Sequence, residues 1–272
     1  MKTIPSESND SAQWTDYLNK VKSAEGAGGT EGAEGYGDNI WANVFGPLNP
    51  TAPEGQVVIG QMGQSLDGRV ATVTGESKYI NQAAGLTHLH RLRALVDAVV
   101  IGVGTALIDD PQLTVRLVEG AHPARVVIDP QGQLVREAKI WQSDGTRRIS
   151  ITLEGHTPDI PSGVEHLTLA GVENHIQPEK ILDLLKTLGM QRILIEGGPE
   201  TVARFMNAKR LTRLHLIVAP IILGSGKQGI NLTEIKKLSE AIVPNVRTFM
   251  LGDEVLFDCD LSSQKPSSET TV

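Results

Sequence analysis

The stretch AVVIGVGTALIDDPQLTVR, residues 98–116, determines the fold prediction. Its first five residues are apolar or small and uncharged, which is typical of a parallel strand that is buried on both faces. Two glycines then allow a sharp turn, and polar side chains follow at the carboxyl end of the strand, where ligands usually bind in α/β sheets. Pro111 ends any helix, so we expect residues 112–116 to run extended beside the same crevice. An isolated DDP motif is more typical of a solvated turn, so a site here depends on the rest of the chain.

The composition favours one α/β domain with an appendage. The chain has 272 residues, 25 of them basic and 32 acidic, and a formal net charge of −7. A nucleic-acid partner would require a basic surface, so we expect none. Cys259 is the only cysteine, which excludes a disulfide framework and a Cys-rich zinc site and predicts a cytoplasmic protein. No apolar run approaches the ~20 residues of a membrane helix, so we expect no membrane partner.

Residues 1–55 differ in composition from the rest and are predicted to be an accessory arm. A helix is expected over residues 12–24, and a glycine-rich linker, GAGGTEGAEGYGD, follows at residues 26–38. Several large apolar side chains then lie between Trp41 and Leu48. Because exposed aromatic side chains are uncommon at this density, we expect this segment to dock onto the main domain or onto a partner subunit.

Strands and helices alternate through residues 56–262, the predicted main domain, and indicate a mostly parallel sheet with helices on both faces. Strands are predicted at residues 56–62, 98–102, 125–128, 149–153, 166–169, 193–195 and 214–219. Helices are predicted to begin near Asn81, at Pro178 and at Pro199, and we expect Asn81 to act as the cap of the first. Alternating stretches around Gly252 predict a C-terminal antiparallel hairpin. Residues 263–272 are predicted to be disordered.

A second informative stretch is RILIEGGPETVARFM, residues 192–206. A buried strand ends at Glu196, Gly197 and Gly198 form a turn, and Pro199 occupies the favoured first position of a helix. Free amides and the helix dipole at such a turn suit a pyrophosphate. A carboxylate that ends an apolar strand is costly unless it is solvated or paired, so Glu196 is a candidate ligand-binding residue.

Two histidines on the predicted helix after Asn81 are not expected to bind a metal. His88 and His90 are two residues apart, whereas a metal pair on one helical face needs a spacing of three or four. We therefore expect solvated or packed histidines and no metal site.

Several motifs occur together in the order of one known family: SLDGR (65–69), GES (75–77), LRALVDAVVIGVGT (92–105), DDPQLTVR (109–116), EGGP (196–199) and APIILGSG (219–226). Over roughly residues 56–260, the chain resembles the reductase domain of bacterial riboflavin-biosynthesis deaminase-reductases. The resemblance implies a dihydrofolate-reductase-like fold, with a mixed, mostly parallel sheet, and a homodimer. It also implies NADPH-dependent reduction of the ribosyl group of a small phosphorylated substrate, a phosphoribosylamino-pyrimidine, to ribityl.

The resemblance implies two sets of site residues. The predicted substrate-binding residues are Ser77, Arg93, Leu113, Arg116 and Glu196. The predicted NADPH-binding residues are Gly63, Tyr79, Thr105, Asp109, Gly197, Gly198, Pro199, Glu200 and Thr201. Arg93 and Arg116 suit the 5′-phosphate, because a guanidinium matches phosphate oxygens two at a time. Glu196 and Asp67 are the catalytic candidates, although a turn-forming role for Asp67 is an equal alternative.

Two departures from the family pattern limit the prediction. The His/Cys/Cys zinc motif of the family's deaminase domain does not occur in this sequence, so we expect no deamination by this chain. The family commonly has a lysine two residues before the position of Gly63, and this chain has Gln61 there. Two alternatives therefore stay open: a reductase of another pterin- or pyrimidine-like compound such as dihydrofolate, and a catalytically silent binding protein.

Overall fold

The computed structural model describes residues 2–3, 7–26, 39–48, 55–77 and 80–264. Within these ranges the strands are β1 (Lys2–Thr3), β2 (Val57–Ser65), β3 (Arg69–Thr72), β4 (Ala98–Gly102), β5 (Ala124–Ile128), β6 (Arg148–Leu153), β7 (Glu165–Leu169), β8 (Arg192–Glu196), β9 (Arg213–Ala219), β10 (Gly226–Gln228), β11 (Asn245–Leu251) and β12 (Glu254–Asp260). The α-helices are α1 (Glu7–Gly26), α2 (Ile40–Phe45), α3 (Ala83–Leu95), α4 (Val103–Asp109), α5 (Pro178–Thr187) and α6 (Pro199–Asn207).

One ten-stranded sheet, in the order β1-β11-β12-β9-β2-β8-β4-β5-β6-β7, forms the centre of the fold. From β9 to β7 every neighbouring pair is parallel, while β12 pairs antiparallel with both β9 and β11. The hairpin between β11 and β12 turns at Gly252, whose φ of 61° lies in the region that favours glycine. The predicted mixed, mostly parallel sheet with a C-terminal hairpin is therefore confirmed.

Helices cover both faces of this sheet, as predicted. On one face, α5 and α6 bury their apolar side chains in a core with β4, β5, β6 and β8; Ile181, Leu185 and Phe205 are at most 1% exposed. On the other face, α3 packs in a second core, which includes Leu92 and Ile101. The two cores hold the sheet rigidly from either side, so the carboxyl ends of its strands form a fixed platform.

The N-terminal arm packs into the second core, and so docks onto the main domain. Trp14, Trp41 and Phe45 are at most 1% exposed, and the rings of Trp41 and Phe45 stack 5.7 Å apart. The guanidinium of Arg91 on α3 lies 3.9 Å from the ring centroid of Trp41, a cation–π contact. Helix α1 extends beyond the predicted residues 12–24, and most of the predicted linker, residues 27–38, lies outside the described residues.

The start of α3 differs from the sequence prediction, because a distant carboxylate replaces the expected cap. Gln82, not Asn81, is the N-cap residue, and its side chain makes no capping hydrogen bond. Glu254, at the start of β12, instead accepts hydrogen bonds from the Asn81 side chain, the Gln82 amide and the Gly85 amide. A Cβ atom at position 85 would lie 2.6 Å from this carboxylate, so glycine leaves the space that the contact needs.

Three further segments differ from or limit the predictions. The glycine-containing turn expected after β4 is the start of α4, and part of the predicted loop at residues 220–229 forms β10, which pairs with β3 in a separate two-stranded sheet. Residues 262–264 form a short 3₁₀ turn, so the predicted disordered tail does not include residues 263–264, and residues 265–272 lie outside the described residues. Within the part of the chain that the structure describes, no helix has the length and apolar character required to span a bilayer.

Candidate active site

The candidate site lies where the carboxyl ends of β4 and β8 meet. The two strands are parallel neighbours, and Val100 pairs with Ile195. Each strand therefore ends at the same edge of the sheet, and each is followed almost at once by a helix, α4 or α6. Since the first amides of a helix have no intrahelical acceptor, two sets of backbone donors lie close together at this edge.

Glycines allow the two helix starts to approach each other closely. The Thr105 hydroxyl of α4 accepts a hydrogen bond of 2.8 Å from the Gly198 amide. A Cβ atom at Gly197, whose φ is 109°, would lie 2.9 Å from the Thr105 Cγ2 atom, and a Cβ atom at Gly102 would lie 2.6 Å from the Thr201 hydroxyl. Neither position has room for a side chain, so the turn presents mainly backbone.

A buried ion pair, Arg93 with Glu196, ends the strand beside this turn. The two side chains form a bidentate pair in which Arg93 Nε donates to Glu196 Oε2 at 2.9 Å and Arg93 Nη2 donates to Glu196 Oε1. The third nitrogen, Arg93 Nη1, donates to the Thr114 carbonyl at 3.1 Å. Both residues are less than 10% exposed, so each charge depends on the other for compensation.

The structure gives Arg93 contacts that the sequence did not predict. Each nitrogen of its guanidinium donates to a protein oxygen, so the group holds Glu196 and the Thr114 carbonyl. The predicted role of Arg93 at a phosphate stays a prediction. Sequence analysis identified Arg93 and Glu196 as members of one site but did not pair them, because a contact across 103 residues leaves no local pattern.

Arg116 lies beside the ion pair and is the exposed cation of the site. Its Nη1 atom donates to the Gln112 Oε1 atom at 3.0 Å and to the Thr114 hydroxyl at 2.6 Å. Partial burial and the neighbouring charge of Arg93 lower the pKa of Arg116, while Glu196 raises it. Among the described residues nothing occupies Arg116 Nε or Nη2, so these donors can meet an anion.

Asp67 has the contacts of a turn-forming residue. Its carboxylate accepts hydrogen bonds from the Ser65 hydroxyl at 2.6 Å and from the amides of Leu223 and Gly224 at 3.0 and 2.7 Å. The Ser65 hydrogen bond, followed by those of the two amides, lowers the pKa of Asp67 to about 2. A carboxyl group with this pKa is ionised near neutral pH and cannot donate a proton there, so the geometry favours the turn-forming alternative.

Three other predicted residues lie in different parts of the described chain. Leu113 has a φ of 54° and is 1% exposed, so its side chain belongs to the core and only its backbone can meet a ligand. Asp109 lies at the end of α4 opposite the glycine turn. Ser77 lies between β3 and α3, where its carbonyl accepts a hydrogen bond of 3.3 Å from the Ile80 amide.

The remaining predicted cofactor residues lie in different surroundings. Gly63 on β2 packs against the Asn81 side chain, since a Cβ atom there would lie 1.5 Å from the Asn81 Oδ1 atom. Pro199 and the exposed Glu200 belong to the first turn of α6. Tyr79 lies outside the described residues.

Two residues outside the predicted sets of site residues lie beside the site. His90 on α3 is 5% exposed, and its Nδ1 atom accepts a 2.9 Å hydrogen bond from the Arg116 amide. Gln61 on β2 is 7% exposed and lies in register with Glu196 on β8. The resemblance pointed to Gln61 as a departure from the family, whereas no signal in the sequence connected His90 to a segment 26 residues away. Across the described residues no group of three or more His, Cys, Asp or Glu side chains is arranged to hold a metal ion.

The sheet order, the helices on both faces and the glycine-lined strand ends define the class of protein: a dihydrofolate-reductase-like α/β domain. A family model described as the RibD C-terminal domain matches residues 56–251. The chain therefore belongs to the RibD C-terminal domain family, which confirms the resemblance found in the sequence.

Named relatives and solved structures agree with this assignment. The chain is 35% identical over 198 residues to the riboflavin biosynthesis protein RibD of Aquifex aeolicus, a match that covers 71% of this chain and 54% of that protein. It is 27% identical to a 2,5-diamino-6-ribosylamino-4(3H)-pyrimidinone 5′-phosphate reductase of Methanothermobacter thermautotrophicus, covering 74% of this chain and 96% of that protein.

In fold, the chain is similar to a Thermotoga maritima deaminase/reductase, with a TM-score of 0.67 and 24% identity over 82% of this chain and 60% of that one. The chain spans about half the length of the RibD relative from Aquifex aeolicus.

Proposed function

We propose that this chain is an NADPH-dependent reductase of the riboflavin pathway. It would reduce the ribosyl group of 5-amino-6-(5-phosphoribosylamino)uracil, or of the related diaminopyrimidinone, to ribityl. The observation that carries the proposal is the edge shared by β4 and β8, where Glu196 and Arg116 lie beside the glycine turn of α6. The Methanothermobacter relative supports it, because a protein named as a pyrimidinone phosphate reductase matches this chain over 96% of its own length.

The residues at the glycine turn fit a dinucleotide. A pyrophosphate needs close approach to backbone amides, and Gly197 and Gly198 keep side chains away from the start of α6. The dipole of α6 favours negative charge at the same point. Thr105 holds the turn through the Gly198 amide, so its geometry is set before a ligand arrives. When bound, NADPH supplies the hydride for the reduction.

The substrate side of the proposal uses two charged groups with different tasks. Arg116 Nε and Nη2 would bind the 5′-phosphate, since they are the donors of this exposed guanidinium that the described part of the chain leaves unoccupied. The Glu196 carboxylate, fixed by Arg93, would accept hydrogen bonds from the amino or ring N–H groups of the pyrimidine. Fixing both ends of the substrate places the sugar carbon between them, which is the main catalytic requirement for a hydride transfer.

A comparison of two variants tests this assignment. Arg116→Met removes a charged hydrogen bond worth about 1.5–3 kcal/mol, so kcat/KM for the phosphorylated substrate should fall by about 10- to 150-fold in a NADPH absorbance assay. Arg136→Met is the matched control, because Arg136 is exposed and pairs with Asp159 at 3.3 Å. The control should keep wild-type kinetics, and an Arg116 variant with wild-type kinetics would contradict the proposed phosphate site.

The buried Gln61 favours a second candidate substrate, a pterin-like compound. Its side chain is uncharged and lies next to Glu196, where the family commonly has a lysine. Parallel turnover assays with the phosphoribosyl pyrimidine and with dihydrofolate distinguish the two candidates. If the chain turns over dihydrofolate alone, the riboflavin-pathway assignment is wrong. If it turns over neither substrate and NADPH does not raise its Tm, a catalytically silent binding protein is favoured.

The proposal also includes a homodimer, which the family resemblance implies. Light scattering coupled to size-exclusion chromatography should give twice the 29.2 kDa mass of the chain. A measured mass equal to that of one chain over the accessible concentration range would contradict the dimer. It would not affect the reductase assignment, which the kinetic comparison tests separately.

A further inference from the structure

We propose that His90 is a positioning residue that holds Arg116 in place for an anionic group of the substrate. This inference rests on the function proposed above, because it concerns the same site. The supporting contact is the 2.9 Å hydrogen bond from the Arg116 amide to the His90 Nδ1 atom. His90 is buried, and it lies one helical turn before Arg93, so α3 supplies the group that fixes Glu196 and the group that fixes Arg116.

His90 is one of three side chains, with Arg93 and His122, that hydrogen-bond to the backbone of residues 114–116. We call these three contacts the clamp. Arg93 Nη1 donates to the Thr114 carbonyl at 3.1 Å, and the His122 Nδ1 atom accepts from the Val115 amide at 3.2 Å. His90 accepts from the next amide, that of Arg116. Residues 114–116 belong to no strand of the sheet, so these three contacts take the place of ladder hydrogen bonds.

The segment before the clamp is anchored as well. Leu113 adopts a φ of 54° with its side chain buried in the core, a backbone conformation that needs support from its surroundings. The Gln112 side chain returns to accept from Arg116 Nη1 at 3.0 Å. The backbone and one nitrogen of Arg116 are thus held from two directions, which restricts the positions that Nε and Nη2 can take.

The clamp requires a hydrogen-bond acceptor at position 90. Burial lowers the pKa of His90 to about 3, and the positive charges of Arg93 and Arg116 act in the same direction. The imidazole is therefore neutral near pH 7, with Nδ1 free to accept. An asparagine places an amide oxygen near the position of Nδ1, whereas a leucine of similar size offers no acceptor and leaves the Arg116 amide without a partner.

The test compares His90→Asn with His90→Leu, and uses Thr152→Val as a control for the loss of a buried hydrogen bond. Thr152 on β6 is fully buried and bonds to His166 at 2.8 Å, outside the candidate site. Ribose 5-phosphate serves as the probe, with its Kd measured by NMR titration. KM and kcat for the phosphoribosyl pyrimidine are measured in parallel, together with hydrogen exchange of the Arg116 amide.

We expect His90→Leu to weaken ribose 5-phosphate binding and to raise KM by about tenfold, with kcat within about twofold of wild type, and to speed exchange of the Arg116 amide by about tenfold. His90→Asn should stay within about threefold of wild type in each measurement, and Thr152→Val should change neither Kd nor KM. Equal behaviour of the leucine and asparagine variants would overturn the inference.

The two proposals fail in different ways. If the wild-type chain reduces no phosphoribosyl pyrimidine but His90→Leu still weakens ribose 5-phosphate binding, the proposed function falls and the positioning role stands. If the wild-type chain reduces the substrate and His90→Leu matches it in KM, the positioning role falls and the function stands. A wild-type chain that neither reduces the substrate nor binds ribose 5-phosphate overturns both.

Discussion

Replacing Arg93 by methionine should cost the protein a large part of its folding free energy. Arg93 makes three hydrogen bonds, two to Glu196 and one to the Thr114 carbonyl. The variant leaves the Glu196 carboxylate, which is 8% exposed, without its counter-charge. Removing one partner of a buried ion pair costs about 3–5 kcal/mol, a substantial share of the ~5–15 kcal/mol of a typical domain. For a chain of this size the corresponding fall in Tm is about 6–20 °C.

Urea unfolding of three variants measures this cost and separates it from lost packing. Arg147→Met is the matched control, since Arg147 and Glu165 form the same bidentate arrangement, at 2.8 and 2.7 Å, with both side chains 41% exposed. Exposed pairs contribute about 0–1 kcal/mol, so this variant should remain close to wild type.

The double variant Arg93→Met/Glu196→Gln should be more stable than Arg93→Met alone, because no uncompensated charge stays buried. A loss of less than about 1 kcal/mol in Arg93→Met would refute the reasoning, since it would show that Glu196 finds water or another donor at little cost.

Three other perturbations have defined outcomes. Phe45→Ala should lower the free energy of unfolding by about 3–5 kcal/mol in urea titrations, because the ring is fully buried among the aromatic side chains of the arm. A loss of less than about 1 kcal/mol would show that the arm is not docked in solution. Burial lowers the pKa of His88 well below 6.5 and that of His90 to about 3. The unfolded chain therefore takes up protons that the folded chain does not. The contribution of the two histidines to the free energy of unfolding should be fully present above about pH 6.5. It should fall as the pH decreases, by up to about 1.4 kcal/mol per pH unit for each histidine. In His90→Asn, where one of these histidines is absent, the slope of the free energy of unfolding against pH should be smaller by up to that amount. Identical slopes would contradict the assigned proton uptake. Gly197→Ala should weaken NADPH binding at least about tenfold in a fluorescence titration, because the new Cβ atom would meet the Thr105 side chain and the backbone φ of 109° would be strained. Gly145→Ala is the control, since φ is 83° there and no atom lies within 4 Å of the new Cβ atom. This control should bind NADPH like wild type.

Much of the fold could be predicted because it depends on local patterns. The uncharged apolar run of β4 and the run of β8 that ends at Glu196 each identify a strand buried on both faces. The paired turn residues at Gly252 likewise identify the hairpin. In each case the sequence that forms the element also carries the signal, so no knowledge of distant partners was needed.

The contacts that define the site could not be predicted in the same way. The pairing of Arg93 with Glu196 and the capping of α3 by Glu254 join residues that are more than 100 positions apart. Charge and helix propensity say that such side chains need partners, but they do not say which. Leu113 illustrates a second limit, because its φ of 54° is uncommon for a residue with a side chain and its own sequence gives no sign of it.

Because the arm is docked, the folded unit begins at an earlier residue than the family match does. The family match begins at residue 56, whereas the folding unit includes aromatic side chains from residue 14 onward. A fragment cut at the family limit would carry Arg91 without Trp41 above it and would open the apolar side of α3 to solvent. Engineering or expression work on this chain therefore needs the N-terminal segment, even though none of the described side chains of residues 7–26 and 39–48 contacts the site residues.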